Sequence, residues 1–230
     1  MDEPHMARLL ATLSGQPRSP QRNPLSPQPS SDRIVWLDLE FCSLKDHRVL
    51  ECAVIITTCN ALREVARKNW IIGMTPEQID RLVIGGAAAT FHAAHSLQNG
   101  LVDACLASET TYEQWQRELF EFLTTHCFSG CRLAGFSPHV DREVLRTQAK
   151  NVYEFLDHKI IDISSLDIVQ WGLPALERAA RRQNWSPSSH RAMSDCEDAI
   201  AKLKWYQSWL RDHMRDDTTS HDGVTQLYTL

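Results

Sequence analysis

The sequence lacks several features that would have placed the protein in a broad class. No apolar run approaches the roughly 20 residues that a membrane-spanning helix needs, so the sequence predicts a soluble protein with no membrane partner. Basic residues are not in excess, because the formal net charge is −5, and this balance argues against a protein that coats DNA or RNA. An enzyme that grips a few phosphates stays compatible with it, since a bound metal ion can supply positive charge locally.

Paired cysteine motifs are also missing. The seven cysteines form an odd set without a C-x-x-C pair, and no His or Cys pair at zinc-binding spacing follows Cys127 and Cys131. We interpret them as reduced, mostly buried thiols of a protein that works in a reducing compartment. This interpretation favours a cytoplasmic location.

The chain is predicted to have three parts. The stretch "GQPRSPQRNPLSPQPSSD" (15–32) has five prolines and almost no large apolar side chain, so it cannot bury enough surface to offset its ordering entropy. We therefore predict a disordered segment over 1–32, a folded domain over 33–214 and a flexible tail over 215–230. Residues 6–23 carry three arginines and no acid, as mitochondrial signals tend to do, so a mitochondrial location stays open beside the cytoplasmic one.

Within the folded part, strand-forming patterns come first and helical patterns alternate with strands later. Strands are predicted at 34–40, 48–58, 62–73 and 131–136 and in "HKIIDISSL". Helices are predicted after the capping residues Thr75 and Thr111, at 139–150, in "LPALERAARRQ" and at 191–214. This order predicts an α/β fold, in which a mixed sheet is flanked by helices.

Two acids interrupt the first strand, "IVWLDLEFCSL" (34–44). Because side chains alternate across a strand, Asp38 and Glu40 share one face, about 6–7 Å apart along the backbone. In a partly dry site these carboxylates would be costly without a cation between them, and Mg²⁺ or Mn²⁺ suits oxygen ligands better than zinc does. The alternative is a strand end whose acids simply face water.

Three later residues extend the pattern. Asp141 follows a short strand near a helix start, and His190 and Asp195 are five residues apart. Five residues of continuous helix would leave the two side chains about 140° apart. They can share a site only if His190 lies in the incoming loop and Asp195 one turn inside the helix. Taken singly, each has an ordinary explanation as a surface, capping or helix-dipole residue.

The order D-x-E, then D, then H-x4-D resembles the DEDDh family of 3′→5′ exonucleases, and within it the oligoribonucleases. The segments "WLDLEFCSL", "AGFSPHVDREVL" and "SHRAMSDCEDAI" are similar to the family's three motifs, and the resemblance extends over nearly all of residues 33–212. It implies a ribonuclease H-like fold, whose sheet combines an antiparallel meander with parallel strands between flanking helices.

The resemblance also implies roles for individual residues. Asp38, Glu40 and Asp195 would bind two Mg²⁺ or Mn²⁺ ions, Asp141 would complete the second metal site, and His190 would be the general base. Two such ions can activate the attacking water and stabilise the leaving 3′-oxygen, and imidazole is a competent base at cellular pH. Leu44 matches a leucine that wedges beside the terminal bases of the substrate, although it could equally be an ordinary loop leucine packed on the core.

The sequence departs from the family's pattern near the substrate rather than at the catalytic set. Phe136 replaces the asparagine of G-N-S, and Cys42 and Ser43 stand where the family has Thr-Gly. His158 and Lys159 stand where a tyrosine and an arginine reach across a homodimer to cap the 5′ phosphate of the substrate. Lysine can meet a phosphate, but not bidentately as arginine does. The family's histidine ahead of "NGL" could be His92 or His95.

These observations leave three readings of the function. The resemblance favours a metal-dependent exoribonuclease that cleaves short single-stranded RNA to 5′-mononucleotides and acts as a homodimer. A divergent DEDDh nuclease for longer RNA or for DNA is a second reading, because the altered residues are those that would enforce a two-nucleotide substrate. The third is a catalytically inactive module of the same fold that binds RNA or a protein.

Overall fold

The computed structural model describes residues 30–183, 185 and 188–216 of the chain. Nearly all of the predicted disordered segment 1–32 and of the predicted tail 215–230 lies outside these residues, so both assignments stay predictions. The described residues cover almost the whole of the predicted folded domain, 33–214.

Five strands make up the sheet. They are β1 (Arg33–Phe41), β2 (Val49–Thr58), β3 (Glu64–Ile71), β4 (Arg132–Gly135) and β5 (Ile160–Asp162). All ten residues of β2 are buried, which fits its near-continuous apolar sequence, whereas β3 alternates between exposed and covered residues as an edge strand does. Each strand lies where the sequence predicts one.

Nine α-helices are found in the described part of the chain. They are α1 (Pro76–Ile79), α2 (Ala89–Ala94), α3 (Leu101–Ala107), α4 (Tyr112–His126), α5 (Pro138–Gln148), α6 (Lys150–Phe155), α7 (Ser164–Val169), α8 (Pro174–Arg181) and α9 (Ala192–Asp216). Thr75 and Thr111 cap α1 and α4 through their side chains. At Thr75 the backbone N–H donates in return to the side-chain oxygen of Gln78, which completes a capping box, as predicted.

The predicted helix over 139–150 differs from the observed one. The observed helix, α5, ends at Gln148, and a separate short helix, α6, follows. Ala149 leaves the helical region at φ −144° and ψ 64°, and the resulting turn brings Val152 into the main core. The helical pattern of the sequence therefore continues through Ala149, although tertiary packing ends the helix there and redirects the chain.

The strand order is β3-β2-β1-β4-β5. β1 pairs antiparallel with β2 and β2 with β3, whereas β4 runs parallel to both β1 and β5. An antiparallel meander is thus joined to two parallel strands, as the predicted ribonuclease H-like architecture requires. β1, the strand with the two acids, lies in the middle of the sheet.

Helices cover both faces of the sheet. On one face Val35, Leu37 and Leu39 of β1 pack in a core with Trp115 and Leu119 of α4. On the other face Ile34 and Trp36 pack against Ala192, Cys196 and Ala199 of α9. Asp38 and Glu40 continue this second face, so they project beside the start of α9 and not into the larger core.

No helix in the described part of the chain combines the length and the apolar character that crossing a bilayer requires.

The packing of α4 on the sheet gives a stability test. Leu119 is fully buried against the sheet, so Leu119→Ala should lower the free energy of unfolding by about 2–5 kcal/mol, measured by urea denaturation. Leu106→Ala is the control, because Leu106 is exposed, and its effect should stay within about 0.5 kcal/mol. Equal losses at the two positions would contradict this packing.

Candidate active site

The site begins with the two acids of β1. Glu40 is buried and Asp38 is partly covered. Cross-strand pairing is regular from Arg33 to Glu40, and an irregularity follows between Glu40 and Phe41. The strand therefore holds both carboxylates in register and then bends away directly after them.

Asp141 reaches the same strand from α5. Its side chain is buried, and its Oδ1 accepts a hydrogen bond of 2.9 Å from the backbone N–H of Leu39. β4 pairs with β1 only as far as Trp36, so the Leu39 amide lies beyond this ladder. Gly135 brings the two strand ends close, since a Cβ there would lie 3.1 Å from the backbone oxygen of Leu37. The short β4 strand thus leaves a backbone donor to which the acid is fixed.

Asp195 and His190 come from the start of α9. Asp195 lies in its first turn, and its two carboxylate oxygens are 3.0 and 2.9 Å from the hydroxyl of Ser188. His190 lies in the connection before the helix, with a left-handed φ of +51°. This is the only arrangement in which the two residues could share a site, as the spacing of five predicts.

All five predicted catalytic residues line one cleft. Its volume is about 540 Å³, and its wall also includes Leu44, Phe91, Phe136, Ser137 and Val140. Ligand atoms of Glu40, His190 and Asp195 all lie within 4.8 Å of one another. The structure therefore brings together residues that are up to 157 positions apart in the sequence, from Asp38 to Asp195.

Burial dominates the electrostatics of the cleft. It raises the pKa of Glu40 from 4.5 to about 8, with further contributions from Asp195, Glu51 and Asp141. Burial also raises the pKa of Asp141 to about 7, although the hydrogen bond from Leu39 opposes this change. The pKa of Asp38 is raised well above its usual value by burial and then by Asp141 and Glu40, and burial raises the pKa of Asp195.

The donor set fits a divalent metal ion. Four carboxyl groups converge where burial and repulsion disfavour their ionised forms, and a cation would reverse that balance. Oxygen donors are those preferred by Mg²⁺ and Mn²⁺. The imidazole of His190 is near enough to Glu40 and Asp195 to be a ligand as well, which is a different role from the general base that the resemblance implies.

The sequence did not predict two further side chains near the site, Glu51 and Arg191. Glu51 lies on β2 directly opposite Glu40 of β1 and is only 1% exposed. It accepts hydrogen bonds from Arg191 Nε at 2.9 Å and Nη2 at 3.0 Å. A single acid inside the apolar run "RVLECAVIITT" was the available signal, because a buried carboxylate needs a partner.

The aromatic wall of the cleft decides between the two candidate histidines. The His95 ring lies 4.0 Å from that of His190, and Phe91 lies 5.1 Å from His190, both measured between ring centroids. His92 is instead buried, and its ring nitrogens contact the carbonyl of Cys42 and the hydroxyl of Ser96 at 2.7 and 2.8 Å. His95 is therefore the histidine beside the site, whereas His92 has a structural role in joining its helix to the loop after β1.

Of the three predicted substrate-binding residues, only Leu44 lies at the cleft. Leu44 lines the cleft and is 73% exposed, so it is not the core-packed loop residue that was the alternative. His158 and Lys159 precede β5 and are not among the described residues that line the cleft. The His158 side chain is largely exposed and contacts Asp157 at 2.9 Å.

Comparisons with known proteins agree with the resemblance to oligoribonucleases. No protein-family model matches the chain. An oligoribonuclease from Arabidopsis thaliana is 29% identical over 179 residues, which are 76% of this chain and 76% of that protein. A mitochondrial oligoribonuclease from Mus musculus is 27% identical over 183 residues, 77% of this chain and 73% of its own length. The chain is thus similar to oligoribonucleases over about three quarters of its length.

A more distant likeness is found among solved structures. E. coli exonuclease I in complex with a 5cy-dT13 oligonucleotide aligns with a TM-score of 0.48 and 14% identity. The alignment covers 82% of this chain but only 43% of exonuclease I, so the chain spans less than half of that protein.

The raised pKa values predict how stability depends on pH without metal. Because folding raises the pKa of Glu40 from 4.5 to about 8, the folded state binds the proton more tightly than the unfolded chain. This contribution is complete below pH 4.5 and is lost as the pH rises through about 8. The free energy of unfolding in EDTA should therefore fall from pH 5 to pH 8, as measured by urea denaturation.

Two comparisons isolate the cause of that slope. Glu40→Gln should make it shallower, whereas Glu121→Gln, at an exposed position on α4, should leave it unchanged. Mn²⁺ should restore stability at pH 8, because it neutralises the ionised carboxylates. A slope that is identical in all three proteins would show that Glu40 does not titrate in this range.

Proposed function

We propose that the protein is a metal-dependent 3′→5′ exoribonuclease that degrades short single-stranded RNA to 5′-mononucleotides. The observation that carries the proposal is the convergence of Asp38, Glu40, Asp141, His190 and Asp195 in one cleft. Curated relatives that match most of the chain are named oligoribonuclease, which supports RNA as the substrate.

The four carboxylates would hold two Mg²⁺ or Mn²⁺ ions. Asp38, Glu40 and Asp195 would bind the two ions, and Asp141, fixed by the Leu39 amide, would complete the second site. When bound, such ions supply Lewis-acid stabilisation of the attacking and leaving oxygens of a phosphodiester. Their charge also offsets about four negative charges, which would otherwise repel an RNA phosphate.

His190 would accept the proton of the attacking water. Burial and then the neighbouring His95 lower its pKa from the usual 6.5, and Asp195 partly opposes this change. The imidazole is therefore neutral at cellular pH, which is the form that can accept a proton. Its ring packs against the rings of Phe91 and His95, which restrict its orientation.

The walls of the cleft suit unpaired bases. Leu44 and Phe91 are exposed apolar side chains on the same cleft, and an aromatic ring can stack on any base. A duplex cannot spread its paired bases around such side chains, so single strands would be preferred. His158 and Lys159 lie away from this cleft, and a cap on the 5′ phosphate would come from the second subunit of a homodimer.

A reducing compartment fits the thiols, because all seven cysteines are free. The mouse relative is named mitochondrial, and the arginine-containing segment 6–23 lies outside the described residues. We therefore retain the cytoplasm as the proposed location, with the mitochondrion as the alternative.

The substrate class can be tested with labelled RNA and DNA of two, five and twenty nucleotides, with Mn²⁺ or EDTA. The two-nucleotide RNA should disappear fastest, the product should be a 5′-mononucleotide, and EDTA should stop the reaction. Faster cleavage of the twenty-nucleotide RNA or of DNA would favour the divergent nuclease. Intact oligonucleotides at every length would favour the inactive binding module.

Asp38→Ala should abolish cleavage, and Asp103→Ala, at an exposed position on α3, is its control.

The role of His190 can be separated from that of a metal ligand. If His190 is the general base, His190→Ala should lower kcat by about 10²–10⁴-fold. The Mn²⁺ affinity of this variant, measured by calorimetry, should stay within about two-fold of the wild type. His139→Ala, at an exposed position near the start of α5, should change neither quantity. A large fall in Mn²⁺ affinity would instead make His190 a ligand of the ion.

A further inference from the structure

The backbone of His190 is in a conformation that the chain does not adopt without support. Its φ of +51° lies in the left-handed region, which residues other than glycine adopt uncommonly and which surrounding contacts stabilise. If those contacts were lost, the backbone would relax and the imidazole would leave the cleft. The groups that hold this residue are therefore relevant to its chemistry.

Asn99 holds the carbonyl side of the residue. Its Nδ2 donates to the carbonyl of His190 at 2.6 Å and to the carbonyl of Ser189 at 3.1 Å. Its Oδ1 accepts from the N–H of Leu101 at 3.0 Å, and Leu101 is fully buried. The amide is thus fixed to the core through one end and holds the histidine loop with the other.

The ion pair between Glu51 and Arg191 holds the following residue. Two parallel hydrogen bonds join the guanidinium to the carboxylate, and the Glu51 oxygens also accept from Asn69 Nδ2 at 2.8 Å and from the N–H of Ala192 at 3.3 Å. A bidentate pair fixes direction as well as distance. Arg191 Nη1 lies 3.4 Å from the carbonyl of Asn99, so the two supports are connected.

We infer that Asn99 and Arg191 are positioning residues for His190: they keep its backbone left-handed and its imidazole in the cleft. This inference rests on the proposed function, in which His190 accepts the proton. A role in stability alone would not need this arrangement, since buried ion pairs often contribute little net stability compared with apolar packing. What the arrangement does provide is a fixed location for the loop, and misplacement by about 1 Å can lower a rate by about 10²-fold.

The first test compares Asn99→Ala with Gln98→Ala. Gln98 is the adjacent exposed amide, and its Nε2 bonds to the carbonyl of Ala93, away from His190. Asn99→Ala should lower kcat by about 10–100-fold with KM and Mn²⁺ affinity within about two-fold, whereas Gln98→Ala should behave as the wild type. Equal effects of the two variants would overturn the inference.

Repeating Asn99→Ala in the His190→Ala background shows whether Asn99 acts through the histidine. With no imidazole to position, the substitution should lower kcat by less than about two-fold, because residues that act as a unit are not additive. Arg191→Lys keeps the charge but loses the bidentate contact, and it should show the same dependence on His190. A loss of equal size in both backgrounds would mean that these residues act elsewhere, and the inference would be wrong.

Hydrogen exchange provides a readout that does not depend on catalysis. In metal-free protein the amides of Ser189, His190 and Arg191 should exchange faster in Asn99→Ala than in Gln98→Ala, while those of the β1 strand should not change. If the wild type cleaves no oligonucleotide, the proposed function fails, yet this measurement still decides whether Asn99 holds the loop. Unchanged exchange in Asn99→Ala would overturn the inference even if the wild type is an active nuclease.

Discussion

The chemistry of the cleft is determined by the electrostatic repulsion among four carboxyl groups that the fold holds close together. Asp38 and Glu40 are fixed because β1 is the middle strand of the sheet, and Asp141 and Asp195 are each fixed in the first turn of a helix. Burial raises the pKa of all four. Such a cluster is neutralised either by protons or by cations, because burial and repulsion disfavour several ionised carboxylates side by side.

The sheet makes that repulsion tolerable. Val35, Leu37 and Leu39 bury the opposite face of β1 in the larger core, and β2 is buried along its whole length. The strand therefore cannot move away to separate its acids, since that would expose apolar surface on both sides. The stability of the core and the strain of the site are thus properties of the same strand, which is a common arrangement at functional sites.

The sequence was sufficient for the parts of the site that follow local rules. Alternation along β1 placed Asp38 and Glu40 on one face, and the helical angle between His190 and Asp195 required a loop before α9. The supports of His190 could not be predicted in this way. Glu51 and Arg191 are 140 positions apart, and Asn99 reaches the loop from the chain segment before α3, so only the folded topology brings these groups together. The same reason explains α6, where burial of Val152 overrides a continuous helical pattern.

One hydroxyl connects Asp195 to the histidine. Ser188 Oγ lies within 3.0 Å of both oxygens of Asp195 and also accepts the N–H of His190 at 3.0 Å. Because the hydroxyl has a single proton, it donates to Asp195 while its lone pair receives the histidine amide. A shift of the Asp195 carboxylate would therefore be transmitted to the backbone of His190 through this serine. Asn99 and the Glu51–Arg191 pair hold that backbone from the other side, so Asp195 and His190 are placed relative to each other rather than independently.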